Sequence, residues 1–482
     1  MLNPKTTLRI LGILLMVEGV FMWLSVLVAL IYREDDVLQF LLAGAITAFT
    51  GLIAFLSTKK ANLEVNKRDG YVIVTSGWLV FSLFGTLPYL FTGSIPGFTN
   101  AFFETISGFT TTGASILNNI EELSHGVLFW RSLTQWLGGM GIIVLTLVIL
   151  PVLGIGGMQL FAAEVPGPVP DKIHPRVKET AKKLWGIYLI FTGAEILLLW
   201  IGPMDLFDAV CHSLTTMATG GYSTKQASIA HWDSAYVHYI IILFMFLAGV
   251  NFTLSYFGLH FRFKKVWKNE EFRYYLGFIL VFSLIIAVGL FIYGNKTVEQ
   301  AFRDSLFQVV SIITTTGYAT DDYLLWKPFL MMMIFVLMFF GGSAGSTGGG
   351  PKIMRIMILI KNSTQELKRL IHPNAVIPVR LNKVAVDNVV VTNVLAFLAF
   401  YAVIAIISMV IMSFLGHDFE TSIGAVAATL GNIGPGIGGV GPAFSYHDID
   451  TAGKWFLSFL MLVGRLELFT VIVLFSPVFW KE

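Results

Sequence analysis

Ten stretches of this chain are almost wholly apolar: 8–32, 38–57, 71–92, 127–150, 184–202, 239–261, 274–294, 328–361, 387–415 and 455–476. At about 1.5 Å of rise per residue, some twenty apolar residues cross the ~30 Å hydrocarbon core of a bilayer, so each stretch predicts a crossing helix. After the first two, the crossings fall into four pairs. Between the members of each pair sits a shorter apolar piece, near 101–110, 208–219, 301–314 and 421–431. A helix of roughly ten residues reaches only about 15 Å. Each piece is therefore expected to dip into the bilayer and leave on the side it entered.

All four short pieces run into a tetrad that closes on glycine. The first and third are identical, Thr110-Thr111-Thr112-Gly113 and Thr314-Thr315-Thr316-Gly317; the second is Ala218-Thr219-Gly220-Gly221 and the fourth Gly431-Asn432-Ile433-Gly434. The closing glycines recur at intervals of about 100 residues, one crossing–half-helix–crossing unit each. A unit with an even number of crossings repeats in the same sense, so the units are related by an axis along the membrane normal. The predicted fold class is an all-α polytopic membrane protein. Two N-terminal helices (1–70) precede four helix–pore-helix–helix repeats (71–155, 184–262, 274–362 and 387–478) around a pseudo-fourfold pore.

Composition agrees and adds orientation. The chain has 482 residues, 55% hydrophobic and 13% charged, with a mean hydropathy of +0.75. No soluble fold of this size hides so much apolar surface. Most of the 32 Lys and Arg fall in 58–70, 151–183, 262–273, 351–386 and near the two ends, whereas the alternate loops carry acids such as Glu34-Asp35-Asp36 and Asp321-Asp322. The positive-inside rule then makes the basic loops and both termini cytoplasmic. Residues 1–30 show no small-residue cleavage site, so the opening stretch is expected to be a retained first crossing. The single cysteine, Cys211, excludes an intramolecular disulfide and a multi-cysteine metal site.

The tetrads carry the candidate chemistry. Glycine reaches backbone angles closed to other residues and can aim successive carbonyls along an axis. Four such turns around one centre would replace a cation's water shell with oxygen. Each half-helix would present its partially negative C-terminus to that centre, which favours a cation. Threonine adds an uncharged oxygen and a stiff branched side chain. One Thr-Thr-Thr-Gly is compatible with an ordinary loop; two identical copies at the same place in a repeat argue for a shared role. Corresponding upstream positions carry Glu104, His212, Gln308 and Ala425, so no single ionisable face runs around the ring. Glu104 is expected to satisfy backbone amides behind the tetrads rather than to attract cations.

The eighth crossing is interrupted by Gly341-Gly342-Ser343-Ala344-Gly345-Ser346-Thr347-Gly348-Gly349-Gly350. Each glycine costs a helix about 1 kcal/mol relative to alanine, and unwound backbone at membrane depth survives only inside protein or against a water-filled cavity. Lying just after the third tetrad, the segment 341–350 reads as a flexible obstruction beneath it, a gate. A helix-packing surface would want spaced glycines, and Gly350-Pro351-Lys352 breaks the ending of a phosphate-binding loop. Arg465 stands mid-way along the last crossing, where a charge costs roughly 2.5–3.5 kcal/mol. It is expected to face the interior, lowering ion occupancy or tethering the loop; Glu467 lies about 200° away around the helix and is not its partner. Arg131 is expected to snorkel outward. Gly138-Gly139, Ala248-Gly249, Gly341-Gly342 and Gly464 predict close helix approach, and the tryptophans and phenylalanines are expected at the lipid and interfacial surface.

These residues resemble a known family. FTTTGAS, ATGGYST, ITTTGYAT, GNIGPG, FFGGSAGSTGGGPK, VGRLELFT and the Val165-Pro166-Gly167-Pro168 stretch are together similar to the bacterial Trk-type potassium uptake subunits (TrkH/TrkG-like), within the superfamily that includes the Ktr and plant high-affinity transporters. The resemblance implies that potassium is the cargo, coordinated by the carbonyls of the four tetrads, with no organic cofactor in this chain. Glycine at all four closing positions implies potassium selectivity. It further implies that 341–350 is the intramembrane gate and Arg465 the pore-facing arginine. At the fourth tetrad Gly431 stands where that family often has asparagine, a departure that implies a looser carbonyl strand there. By the same resemblance the protein is a channel or symporter of the bacterial inner membrane, not an enzyme. It forms a homodimer and docks a cytoplasmic nucleotide-binding regulator (TrkA-like) on its basic loops; nucleic acid is not among its partners.

Two other function classes fit less well. A membrane enzyme or electron-transfer subunit would want intramembrane histidine pairs or an acid–base constellation, and the nine His fall almost wholly in loops or at crossing ends. An anion transporter would point half-helix N-termini at its substrate, whereas the tetrads here follow the C-termini.

Overall fold

A computed structural model describes residues 2–59, 61, 65–139, 141 and 177–481. The chain is predominantly helical, apart from a two-stranded hairpin, Arg380–Leu381 with Val384–Ala385, turning through left-handed Asn382 and Lys383. Pro4–Tyr32 and Val37–Ser57 lie against each other along a glycine seam. A Cβ on Gly12 would come 2.7 Å from Gly51 O, and one on Gly19 2.6 Å from Gly44 O. In lipid, where apolar burial drives nothing, such backbone proximity is what holds helices together.

The four repeats follow. The outer helices are Lys67–Gly85, Val177–Ile201, Glu270–Tyr293 and Asn388–Phe414. The half-helices are Phe98–Phe109, Leu206–Met217, Val298–Ile313 and Phe419–Gly431, where the short apolar pieces predicted them. Asp205, Thr297 and Asp418 cap three of these at the N-terminus by accepting from the N3 amide, the usual way of satisfying a free helical N–H. The half-helices are largely buried, while Leu280, Leu284 and Val288 of one outer helix stand exposed as a lipid-facing surface.

The closing crossings depart from expectation. Among the described residues six helices are long and apolar enough to span alone, and up to eight if bent pairs count as single spans. The stretch expected at 239–261 bends by 115° between Ala235–Gly249 and Phe252–Leu259, and that at 455–476 by 111° between Thr451–Arg465 and Phe469–Phe475. The one expected at 328–361 is a short helix, Pro328–Leu337, an irregular segment, and then Ile353–Ile371. Each break has a local cause: Asn251 starts a new helix by capping Thr253 N at 2.8 Å, and Glu467 and Leu468 take φ of 56° and 50°. Of the stretch at 127–150 only 127–139, within the helix His125–Gly139, and Gly141 lie among the described residues. The Val165–Pro168 motif and most of the basic 151–183 loop lie outside them.

The aromatic expectation also needs correction. Trp130, Phe103 and Phe109 are fully buried, and Trp78 is 3% exposed. They fill the space behind the first half-helix: Phe109 packs edge-on against Phe81 at 5.5 Å and Trp130 at 6.3 Å.

Candidate functional site: a ring of four glycine turns

The four tetrads fold alike. Their second residues, Thr111, Thr219, Thr315 and Asn432, have φ of 52°, 54°, 60° and 53°, and their glycines φ of 78°, 77°, 82° and 96°. A left-handed residue two places before a left-handed glycine turns the backbone out of the helix and into an ascending strand. Threonine in this conformation is a genuine outlier, and such strain survives only where surrounding structure enforces it.

What enforces it is the neighbouring repeat. A Cβ on Gly113 would lie 2.1 Å from Gly220 O, one on Gly221 2.0 Å from Thr316 O, one on Gly317 1.8 Å from Ile433 O, and one on Gly434 2.8 Å from Thr112 O. Each glycine thus abuts the third-position carbonyl of the next repeat, and the fourth returns to the first. The sequence-predicted residues of all four tetrads meet in one closed ring. The carbonyls of Thr112, Thr316 and Ile433 accept no hydrogen bond among the described residues. On one face of the ring opens a cavity of about 80 Å³ whose lining includes Gly113, Gly221, Gly317 and Gly434. Uncommitted carbonyls around a centre, flanked by half-helix C-termini, suit a dehydrated cation.

Behind the ring the repeats use different devices. In the first and third, paired hydroxyls brace the strand: Thr110 Oγ1 to Thr112 Oγ1 and Thr314 Oγ1 to Thr316 Oγ1, both 2.8 Å. In the fourth, Asn432 Nδ2 donates to Thr112 Oγ1 and Met461 O, both at 2.9 Å. Gly431 ends the half-helix, and a Cβ there would lie 3.2 Å from Met338 O. The upstream residues tie half-helix to ascending leg: Glu104 accepts from Ile116 N at 2.9 Å and Ser115 Oγ at 3.0 Å, and His212 Nε2 pairs with Ser223 Oγ at 2.9 Å. Glu104 therefore plays the backbone role expected of it.

Arg131 does not snorkel. Its Nε donates to Glu104 Oε1 at 2.7 Å, its Nη1 to Ser223 O at 2.8 Å, and its guanidinium sits 3.7 Å from the Tyr222 ring centroid. Burial of Glu104 inside the ring wall draws the arginine inward, because an unpaired charge there costs more than the lost hydration. Arg131→Met is expected to destabilise the fold by about 3–5 kcal/mol by orphaning Glu104, read as a lower melting temperature of the detergent-solubilised protein. Adding Glu104→Gln should recover part of the loss; an unchanged melting temperature in the single variant would refute the pairing argument.

The segment 341–350 lies against the opposite face of the ring and is pinned rather than loose. Thr347 Oγ1 donates to Met217 O at 3.1 Å, Gly349 N to Thr315 Oγ1 at 2.7 Å, and Ser343 N to Gly249 O at 2.9 Å. Lys352 Nζ folds back onto Gly348 O. Gly348 and Gly349 pass so close that a Cβ on either would lie 2.9 Å from Thr314 O or 3.0 Å from Gly431 O. Arg465 completes the assembly: Nη1 donates to Thr347 O at 2.7 Å and Thr111 Oγ1 at 3.0 Å, and Nη2 to Gly138 O at 2.6 Å and Gly139 O at 2.9 Å. Glu467 pairs instead with Arg355, beyond the helix end at Arg465. The small residues of the closing helices serve the ring too, since Cβ atoms on Gly138 and Gly464 would strike Phe109 O at 1.9 Å and Leu430 O at 2.3 Å.

Sequence comparison agrees with this geometry. The TrkH family profile, described as a cation transport protein, matches residues 36–481. This chain belongs to that family. The Trk system potassium uptake protein TrkH of Escherichia coli (strain K12) is 42% identical over 481 residues, covering 98% of this chain and 99% of that one. TrkG of the same organism, also named a Trk system potassium uptake protein, is 33% identical over 483 residues, covering 100% and 99%. The crystal structure of the potassium transporter TrkH from Vibrio parahaemolyticus superposes with a TM-score of 0.89 at 38% identity, covering 99% of both chains.

Sequence reasoning missed the left-handed second position, for which Asn432 was the only local hint, since asparagine visits that conformation more readily than threonine. It also missed Gln135, Glu271 and Lys352. Glu271 Oε1 accepts from Ala344 N at 2.7 Å, a partnership across the fold that no spacing announces.

Proposed function

We propose that this protein takes up potassium across the bacterial inner membrane. The tetrads from Thr110, Ala218, Thr314 and Gly431 to their closing glycines act as the selectivity filter, and the segment 341–350 with Arg465 acts as the gate. The carrying observation is the closed cycle in which each tetrad glycine abuts the next repeat's carbonyl. That cycle brings four backbone strands around one centre in direct backbone contact. The segment beneath it touches the second, third and fourth tetrad regions directly and the first through Arg465, so ions leaving the ring meet it. The potassium named in the relatives' descriptions supports the cargo.

The basic loops set the cytoplasmic face and both termini there. They also offer the docking surface for a nucleotide-binding regulator of the kind implied by a "system" with several components, and a homodimer is the assembly. In proteoliposomes the protein should pass potassium and rubidium well above sodium. Equal fluxes of the three ions would overturn the filter assignment.

A further inference from the structure

The second repeat lacks both bracing devices of the others. Ala218 and Gly220 carry no hydroxyl to match the threonine pairs, and Thr219 Oγ1 merely turns back to Ala218 O at 2.6 Å. The support comes from another repeat. Gln135, fully buried on His125–Gly139, places Nε2 2.7 Å from Gly220 O and Oε1 3.0 Å from Tyr222 N. The amide's orientation is determined by chemistry: the Tyr222 N–H only donates, so the oxygen faces it and the NH₂ faces the carbonyl. Gln135 thereby grips the strand on both sides of Gly221, as a neighbouring backbone amide would.

Gly220 is glycine for this reason and not for its φ, which is not left-handed. A Cβ there would lie 2.4 Å from Gln135 Cδ and 2.4 Å from Oε1. The glutamine occupies the place a threonine side chain takes in the first and third repeats. Its N–H also has a consequence for the ring. Of the four third-position carbonyls, those of Thr112, Thr316 and Ile433 are uncommitted among the described residues, whereas Gly220 O already accepts a hydrogen bond.

We propose that Gln135 is a positioning residue for ion selection. It clamps the second strand and holds the Gly220 carbonyl at a fixed distance from the centre, making this level of the ring three free oxygens and one shared. A carbonyl so held cannot swing inward to close on a smaller ion, and sodium needs just that shorter approach. The inference rests on the filter reading above.

The test is Gln135→Met, which keeps side-chain volume and removes the donor, alongside Gln135→Glu, which keeps the acceptor for Tyr222 N and removes the donor from Gly220 O. Rubidium and sodium fluxes, the potassium KM and the melting temperature are measured on purified protein in liposomes. For each folded variant the potassium-to-sodium ratio should fall about fivefold to tenfold, the scale set by one buried hydrogen bond, with a changed KM. A residue that only packed would instead move the melting temperature in Gln135→Ala and leave the Gln135→Met ratio at the wild-type value. A wild-type ratio in either folded variant overturns the proposal. Gly317→Ala, run in parallel, separates the two readings. If it alters selectivity while both Gln135 variants are silent, only this inference fails; if all are silent, the filter reading fails with it.

Discussion

Gly317→Ala is expected to cut potassium uptake by at least about tenfold and to erase discrimination against sodium, because two independent costs meet at one atom. The residue has φ of 82°, where an L side chain costs roughly 1–2 kcal/mol. Its new Cβ would also stand 1.8 Å from Ile433 O. That obstacle is backbone, so no rotamer change relieves it; the fourth strand must move, and with it a carbonyl of the ring. The four glycines should not be equally sensitive. Gly434 has the most room, 2.8 Å to Thr112 O, so Gly434→Ala should retain the most transport and Gly317→Ala the least. Rubidium uptake into proteoliposomes gives the order directly, and a reversed order would contradict the packing argument.

Removing residues 343–349 should raise potassium flux several-fold in the absence of any regulator. The segment lies against one face of the ring, held there by hydrogen bonds from Thr347 Oγ1 and Gly349 N, and Arg465 ties it to the first repeat through Thr347 O and Thr111 Oγ1. Arg465→Gln should act in the same direction with a smaller effect. It removes the Arg465 tie but leaves the segment's own hydrogen bonds to the ring, and it strands the Gly138 and Gly139 carbonyls that the guanidinium now satisfies. Flux through the deletion variant no greater than wild type, in protein that elutes as a single folded species, would show that the segment is not a barrier.

These two expectations draw on different levels of information. The glycine positions were visible in the chain because one motif recurring at a regular spacing seldom arises without a shared structural role. The half-helices were visible because about ten apolar residues cannot span a bilayer. Arg465 was visible for the opposite reason, as a charge where none is cheap. Arg131 was misjudged because its partner, Glu104, lies on a different helix, and nothing in the spacing of the two residues joins them. The continuity of the closing crossings was misjudged because hydropathy registers apolar residues and is blind to a bend at Val250 or Glu467. Gln135 gave no sign, being one of several polar residues on its helix, with no motif around it.

What the amino-acid order determined by itself was local and additive: which segments are apolar, how long each is, where glycine interrupts them, and that the interruptions recur. Membrane insertion, the fourfold repeat and the tetrads follow from those properties, since each depends on one segment and the solvent around it. The tertiary structure decided which groups from different repeats share a point in space. The cyclic contact of each glycine with its neighbour's carbonyl, the burial of Arg131 against Glu104 and the four-way reach of Arg465 depend on distances between segments remote in the chain. Those distances are set by packing, where a Cβ too many would part the backbones and open the ring.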